Sequence, residues 1–257
     1  HYYFIGKDNI PFHTIIWPSM LMGYGGLNLA YDVPANEFLT TKGAQFSKSR
    51  GIGIWLPDCL NRFDVSAIRY YLSVNMPETK DTDFSPDEFI RKNNDELVAT
   101  LGNFIYRVLS FSKKHFGFPQ IKSELDDVDK NALQMIDATY TEVSECIERC
   151  RFRDGIKKIM ALAGYGNRYI QIKEPWKLIR EDRNKCETTM HIGLRIVKAL
   201  SVMMYPYLPF KAERLQRMLG YNRLLSWGEG KEDFTMNTPV SYTHLRAHET
   251  RHDLVCR

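Results

Sequence analysis

Apolar residues open the chain as a short run, Tyr2 to Gly6, which predicts a buried strand ending at a glycine. From Ile10 to Met22 they recur at helical spacing, up to the Gly-rich break Gly23 to Gly26. Leu29 to Tyr31 and Glu37 to Thr40 predict short strands, and the polar stretch Thr41 to Arg50 predicts a loop. Asp64 to Asn75 predicts a helix opened by an Asp-Val-Ser cap. At Asn75 to Asp83 (NMPETKDTD) the composition turns polar, which marks a domain boundary. Beyond it the helical period dominates. Pro86 to His115 forms one long amphipathic segment, with Phe89, Leu97, Leu101, Phe104, Ile105 and Leu109 near helical spacing. Asp126 to Arg151, Asp154 to Gln171, Pro175 to Glu181 and Cys186 to Met204 predict further helices with short polar connections, the pattern of an antiparallel bundle. Within it Phe104, Tyr106, Phe111 and Phe116 are expected to pack in the core.

Composition adds bounds. Apolar residues make up 44% and charged residues 26%, the balance of a globular protein with material for a core. No apolar run is long enough to cross a bilayer, and the N-terminus lacks the regions of a signal peptide. With His1 first and no initiator Met, the chain is expected to be a break inside a longer protein. A net charge of +4 is compatible with a nucleic-acid partner without arguing for one. The five cysteines form no C-x-x-C pair, so reduced thiols in a cytoplasmic protein are expected and no metal site.

The C-terminal stretch Val240 to Arg257 holds three of the seven histidines, His244, His248 and His252, spaced four apart. That spacing invites a metal-binding reading, but a plainer one exists. Translating TCT TAT ACA CAT CTC CGA GCC CAC GAG gives SYTHLRAHE, and CTC GTA TGC CGT gives LVCR. Both resemble a common transposase-type sequencing adapter interrupted by a short index. Residues 240–257 are therefore expected to be a non-native tail. Without Arg246, Glu249, Arg251, Asp253 and Arg257 the net charge is +3.

Two constellations carry chemistry. The first is Phe4-Ile5-Gly6-Lys7-Asp8-Asn9-Ile10-Pro11-Phe12-His13, with Trp17 one turn on. Ligands of open α/β sheets bind outside the carboxyl ends of strands. A glycine there lets backbone approach a ribose, and a neighbouring Asp accepts hydrogen bonds from hydroxyl or ammonium groups. His13 and Trp17 share a helix face. Taken alone, a capped strand end, a buried histidine and a core tryptophan are the favoured reading of so short a pattern. The second is Gln45-Phe46-Ser47-Lys48-Ser49-Arg50-Gly51, hydroxyl residues around a lysine in a loop closed by glycine. Such a loop suits a mobile phosphate clamp, with the lysine set against charge developing on a triphosphate. A solvated basic loop is the alternative.

In this order and spacing the two resemble the catalytic-domain end of the methionyl-tRNA synthetases, of archaeal or eukaryotic character, and F-S-K-S resembles the class I lysine loop K-M-S-K-S. DVSAIRYY (Asp64 to Tyr71), NFIYR (Asn103 to Arg107) and NRYIQIKEPW (Asn167 to Trp176) are similar to that family's following helices. The resemblance implies the C-terminal part of a Rossmann-type α/β catalytic domain over residues 1–82, an all-α anticodon-binding bundle over 83–239, and the tail 240–257. It implies a methionine–tRNA ligase using ATP, with Mg2+ on the phosphates, L-methionine and tRNA(Met) with its CAU anticodon. Gly6 and Asp8, with Lys48, would bind ATP and adenylate; Phe12, His13 and Trp17 would shape the methionine pocket, where aromatic walls suit a thioether. Ser47, Lys48 and Ser49 would act at the leaving pyrophosphate. Trp176 would stack on an anticodon base while Asn103 and Arg107 read base edges.

Departures limit this reading. Gln45 stands where the loop usually carries its first lysine. The family's H-x-G-H element is absent and, with its structural zinc, is expected upstream of His1, so the chain alone is expected to be inactive. His191-Ile192-Gly193-Leu194 mimics that element late in the bundle and is a decoy. The alternatives are a non-catalytic tRNA-binding module and another class I synthetase, for leucine, isoleucine, valine or cysteine; a large upstream editing insertion would mark a branched-chain enzyme.

Overall fold

The computed structural model describes residues 1–47 and 49–232; Lys48 and the 240–257 tail lie outside them. The fold is a small α/β part followed by a helical bundle. Strand β1 (Ile5–Gly6) leads through a 3-10 turn (Lys7–Asn9) into a π-helical turn (Phe12–Ile16) that runs on as α1 (Trp17–Tyr24). Gly25 ends α1 with a φ of 82°, open to glycine without strain. β2 (Ala35–Asn36) pairs parallel with β1. β3 (Leu39–Thr41) turns into β4 (Ala44–Gln45), and α2 (Leu56–Arg62) and α3 (Val65–Val74) follow. β5 (Thr82–Asp83) pairs parallel with β3, giving the sheet order β4-β3-β5.

Three sequence expectations need correction here. The Tyr2 to Gly6 strand is not buried: Tyr2 and Phe4 are 45% and 55% exposed. Among the described residues the strand has one parallel neighbour, β2, and Tyr2 and Phe4 stay open while Tyr3 and Ile5 are half-buried. Leu29 to Tyr31 forms no strand; the chain there pairs through the isolated bridge Tyr2–Asp32 and the Tyr31 N–H to the His1 carbonyl at 2.8 Å. The Thr41 to Arg50 loop begins as a tight hairpin, because Lys42 and Gly43 both take positive φ, 51° and 72°, which matches the twist of paired strands.

The bundle follows its periodicity closely. Pro86 to His115 is one continuous helix, made of α4 (Pro86–Lys92), a π-helical segment (Asn93–Gly102) and α5 (Asn103–His115). α6 (Asp127–Glu148) begins on a capping box in which Asp126 and Asp129 each bond the other's backbone N–H. α7 (Phe152–Lys173), α8 (Pro175–Glu181) and α9 (Arg183–Met203) lie near their expected bounds. α10 (Pro209–Met218), which the pattern did not predict, buries Ala212 and Leu215, and a 3-10 turn (Gly228–Gly230) follows. The centre is α9, buried from Thr188 to Met203 except at Arg195 and packed against α5, α6, α7, α8 and α10. Tyr70 and Val74 of α3 belong to the same core. The HIGL decoy lies inside α9, where His191 is 4% exposed. No helix among the described residues is long and apolar enough to cross a membrane.

α7 crosses the long helix at Gly166. A Cβ there would lie 2.5–2.8 Å from three atoms of the Phe104 ring, itself fully buried. Gly166→Ala should therefore lower stability by roughly 1–2 kcal/mol despite its better helix propensity. Gly164→Ala, facing open space in the same helix, should raise it by up to about 1 kcal/mol. Urea midpoints compare the two; equal effects would contradict the packing at Gly166.

Candidate functional site

At the end of β1 the expected ligand residues gather on one aromatic side chain. His13 meets the Tyr3 ring edge-on at 6.0 Å, and Trp17 donates its indole N–H to the Tyr3 hydroxyl at 3.2 Å. His13 Nδ1 lies 3.1 Å from the Asn9 carbonyl. Phe12 is brought into the same turn but is 56% exposed. The Asp8 carboxylate folds back over Gly6, and a Cβ at Gly6 would meet Asp8 Oδ1 at 2.8 Å. Tyr3 was not singled out from sequence. Its signal was the strand alternation, which places Tyr3 and Ile5 on the face opposite Tyr2 and Phe4.

Lys7, also passed over, ties this turn to the chain around it. Its ammonium donates to Glu37 at 2.5 Å and Asp81 at 2.8 Å, and lies 4.4 Å above the Phe38 ring. Asp81 also accepts the Phe38 N–H at 2.8 Å. The Lys7 contact and then that N–H hold the Asp81 carboxyl below its ordinary range, while Asp81 and Glu37 raise Lys7.

The lysine loop is a closed structure. Ser47 and Ile52 exchange two backbone hydrogen bonds, at 2.7 and 3.0 Å, which close the loop at its base. The Ser47 and Ser49 hydroxyls are 3.2 Å apart, and Gly51 takes a φ of 65°. Gln45 lies in β4 opposite Thr40, exposed, immediately before the loop.

The bundle residues meet at a cavity of about 580 Å³ lined by Arg107, Ser110, Phe111, Lys114, Trp176 and Arg180, among others. The Arg107 guanidinium lies 5.6 Å over the Trp176 ring, which is 39% exposed. Glu174, with φ 43°, makes the sharp joint that starts α8 at Pro175 and so points Trp176 at α5. Asn103 is half-buried one turn before Arg107, where the π-helical segment closes with an Asn103 N–H to Val98 carbonyl bond. Asn167 of α7 donates to the Thr100 carbonyl at 2.8 Å, bracing that segment. Tyr106, expected in the core, is instead 37% exposed and lines the cavity, because it falls on the helix face turned from α9. The cavity floor is apolar (Phe111, Ile170, Ile179, Met190) and its rim is cationic. His115 completes one side; burial first, then Lys114 and Arg183, hold its imidazole below the usual value. An apolar slot with a half-exposed indole and guanidinium rim can take a planar ring carrying a nearby negative charge.

Two family models match the chain, one for class I tRNA synthetases (M) over residues 1–109 and one for the anticodon binding domain of methionyl tRNA ligase over residues 121–243. A methionine–tRNA ligase of Pyrococcus furiosus is 48% identical over 235 residues, 88% of this chain and 32% of the relative. One of Dehalococcoides mccartyi (strain CBDB1) is 47% identical over 240 residues, 93% of this chain and 43% of the relative. Mycobacterium tuberculosis methionyl-tRNA synthetase in complex with methionyl-adenylate superposes with a TM-score of 0.78 at 27% identity, over 85% of this chain and 44% of that one. The chain thus spans between 32% and 43% of these two curated relatives.

The Arg107–Trp176 contact should be measurable by itself. A double-mutant cycle of Arg107→Ala and Trp176→Ala, read by urea unfolding, should give a coupling of about 0.5–1 kcal/mol. Additive effects would mean the two side chains do not touch in solution.

Proposed function

We propose a function on one premise: the chain belongs to the methionyl-tRNA synthetase family. It supplies the ATP-facing lysine loop and the anticodon-reading bundle of a methionine–tRNA ligase, an enzyme that makes methionyl-adenylate and transfers the methionyl group to tRNA(Met). The observation that carries this reading is the cavity between α5 and α8, where Arg107 and Trp176, over 60 residues apart in sequence, share one slot.

In this reading residues 1–82 are catalytic-domain sequence and 83–239 the anticodon-binding unit, working in the cytoplasm. Gly6 admits the ATP ribose, and Asp8, already turned over Gly6, accepts from it or from the aminoacyl ammonium. Phe12, His13 and Trp17 wall the methionine side chain, with Tyr3 fixing the rings of His13 and Trp17. Lys48, between Ser47 and Ser49, meets the charge that develops on the departing pyrophosphate, where a preorganised cation is most effective; Mg2+ arrives with ATP. No cluster of three metal-ligating side chains occurs among the described residues. A base of the CAU anticodon stacks on Trp176, with Asn103 and Arg107 on base edges and Lys114 and Arg180 placed for the adjoining phosphates.

Two outcomes test this. A hairpin RNA with a CAU loop should bind the chain more tightly than hairpins with other anticodons, and Trp176→Ala should weaken it by about 1–3 kcal/mol. Equal affinity for every loop, or an unchanged affinity in Trp176→Ala, would remove the anticodon reading. The chain alone should give no methionine-dependent ATP–pyrophosphate exchange above background, since it spans only 32–43% of these relatives. Sustained exchange would overturn that expectation.

A further inference from the structure

The polar segment Asn75–Asp83, between α3 and β5, carries three carboxylates, and each reaches a different part of the molecule. Glu78 accepts the Arg153 backbone N–H at 2.8 Å and so caps the start of α7. Asp81 holds Lys7 and the Phe38 N–H. Asp83 accepts the Gly43 N–H at 3.0 Å and the Thr40 hydroxyl at 2.8 Å, both through Oδ1. Gly43 is the second residue of the β3–β4 turn, two residues before Gln45 and four before Ser47, where the lysine loop closes. One short strap therefore touches the bundle, the Gly6–Asp8 turn and the base of the lysine loop.

The strap is anchored firmly at its bundle end. It leaves α3 at Asn75, and α3 buries Tyr70 and Val74 in the bundle core. Arg69 of α3 donates to the Tyr207 and Pro206 carbonyls at 2.7 and 3.0 Å. Thr82 and Asn75 close the strap on itself: the Thr82 hydroxyl donates to the Asn75 carbonyl at 2.9 Å, and the Asn75 amide donates to the Asp83 carbonyl at 3.0 Å. The hairpin has no comparable core of its own; Leu39, Thr40 and Thr41 are half-buried and the turn is exposed. Lys42 at φ 51° is a residue held in a left-handed conformation that it adopts only under local constraint. A carboxylate that fixes the next N–H supplies such a constraint.

We propose that Asp83 is a positioning residue for the lysine loop, fixing the β3–β4 turn against a strap anchored in the bundle. Asp83 touches no substrate in this arrangement. It sets where Ser47 and Ser49 stand relative to the Gly6–Asp8 turn, which the neighbouring Asp81 holds through Lys7. The role in phosphate binding rests on the reading of the loop as a clamp; the mechanical role does not.

Hydrogen–deuterium exchange and amide NMR on the full 257-residue chain test both parts, with Glu78→Gln as the comparison. Asp83→Asn should speed exchange of the 40–47 peptide about tenfold, the loss of one charge-assisted hydrogen bond, and shift the Gly43 amide signal. Exchange over 152–160 should stay unchanged, whereas Glu78→Gln should have the opposite pattern. Unchanged exchange at 40–47, or acceleration through the whole bundle, would overturn the positioning role. Magnesium pyrophosphate should protect 45–50 in the parent chain and at least tenfold less in Asp83→Asn. Equal protection in both would overturn the functional role of Asp83. Protection in neither would remove the clamp reading and with it that role, leaving the exchange result to decide the mechanical one.

Discussion

Helix α9 is the constraint on which the rest of the bundle depends. From Thr188 to Met203 every position but Arg195 is buried, so the helix is stable only when it is surrounded. α5, α6, α7, α8 and α10 do the surrounding. One buried carboxylate in this core is fully paired: Asp129, 2% exposed, accepts from the Tyr169 hydroxyl at 2.6 Å and from Lys173 at 3.0 Å. Because α5 and α8 are both fixed on α9, their outward residues are held at a set spacing. The slot between Arg107 and Trp176 is thus a by-product of how the core closes.

The first part of the chain is built on other terms. Its apolar side chains are largely open, from Tyr2 and Phe4 through Ile15, Met20 and Tyr24. What locates its turns is a set of hydrogen bonds and ion pairs at the surface: Lys7 with Glu37 and Asp81, Asp83 with Gly43 and Thr40. Exposed pairs of this kind contribute little stability each and weaken with salt. They specify geometry more than they stabilise the fold. A rigid bundle joined to a loosely cored α/β part suits the proposed roles, in which a phosphate loop must move and a base-reading slot must not.

The sequence made the long helices legible because a 3.6-residue period repeated over twenty residues outweighs any single propensity. It hid what depends on one or two residues or on neighbours far away. The two π-helical turns leave no mark on periodicity, yet one contains Phe12 and His13 and the other closes at Asn103. The hairpin was masked by a lysine at positive φ, where Asn or Gly is the usual signal. α10 was missed because its charged residues dilute a short apolar stripe. Of the site residues, those in local motifs were readable, while Tyr3, Lys7 and Asp83 act through partners 14, 74 and 40 residues away along the chain.

The matched family segments, 1–109 and 121–243, do not divide the molecule physically. The main core takes Tyr70, Val74, Leu97, Leu101, Phe104 and Leu109 from the first and Ile136, Tyr169, Ile192 and Leu200 from the second. Arg107 stands at the end of the first segment and Trp176 lies in the second, so the slot exists only where the two pack together. Gly166 and Phe104 make the same point at atomic scale: a glycine from one segment leaves the space that a phenylalanine from the other fills. A chain cut between 109 and 121 would leave α9 without α5 and Trp176 without its guanidinium. The smallest unit able to present that slot therefore begins before residue 103, near the strap, and not at the start of the second matched segment.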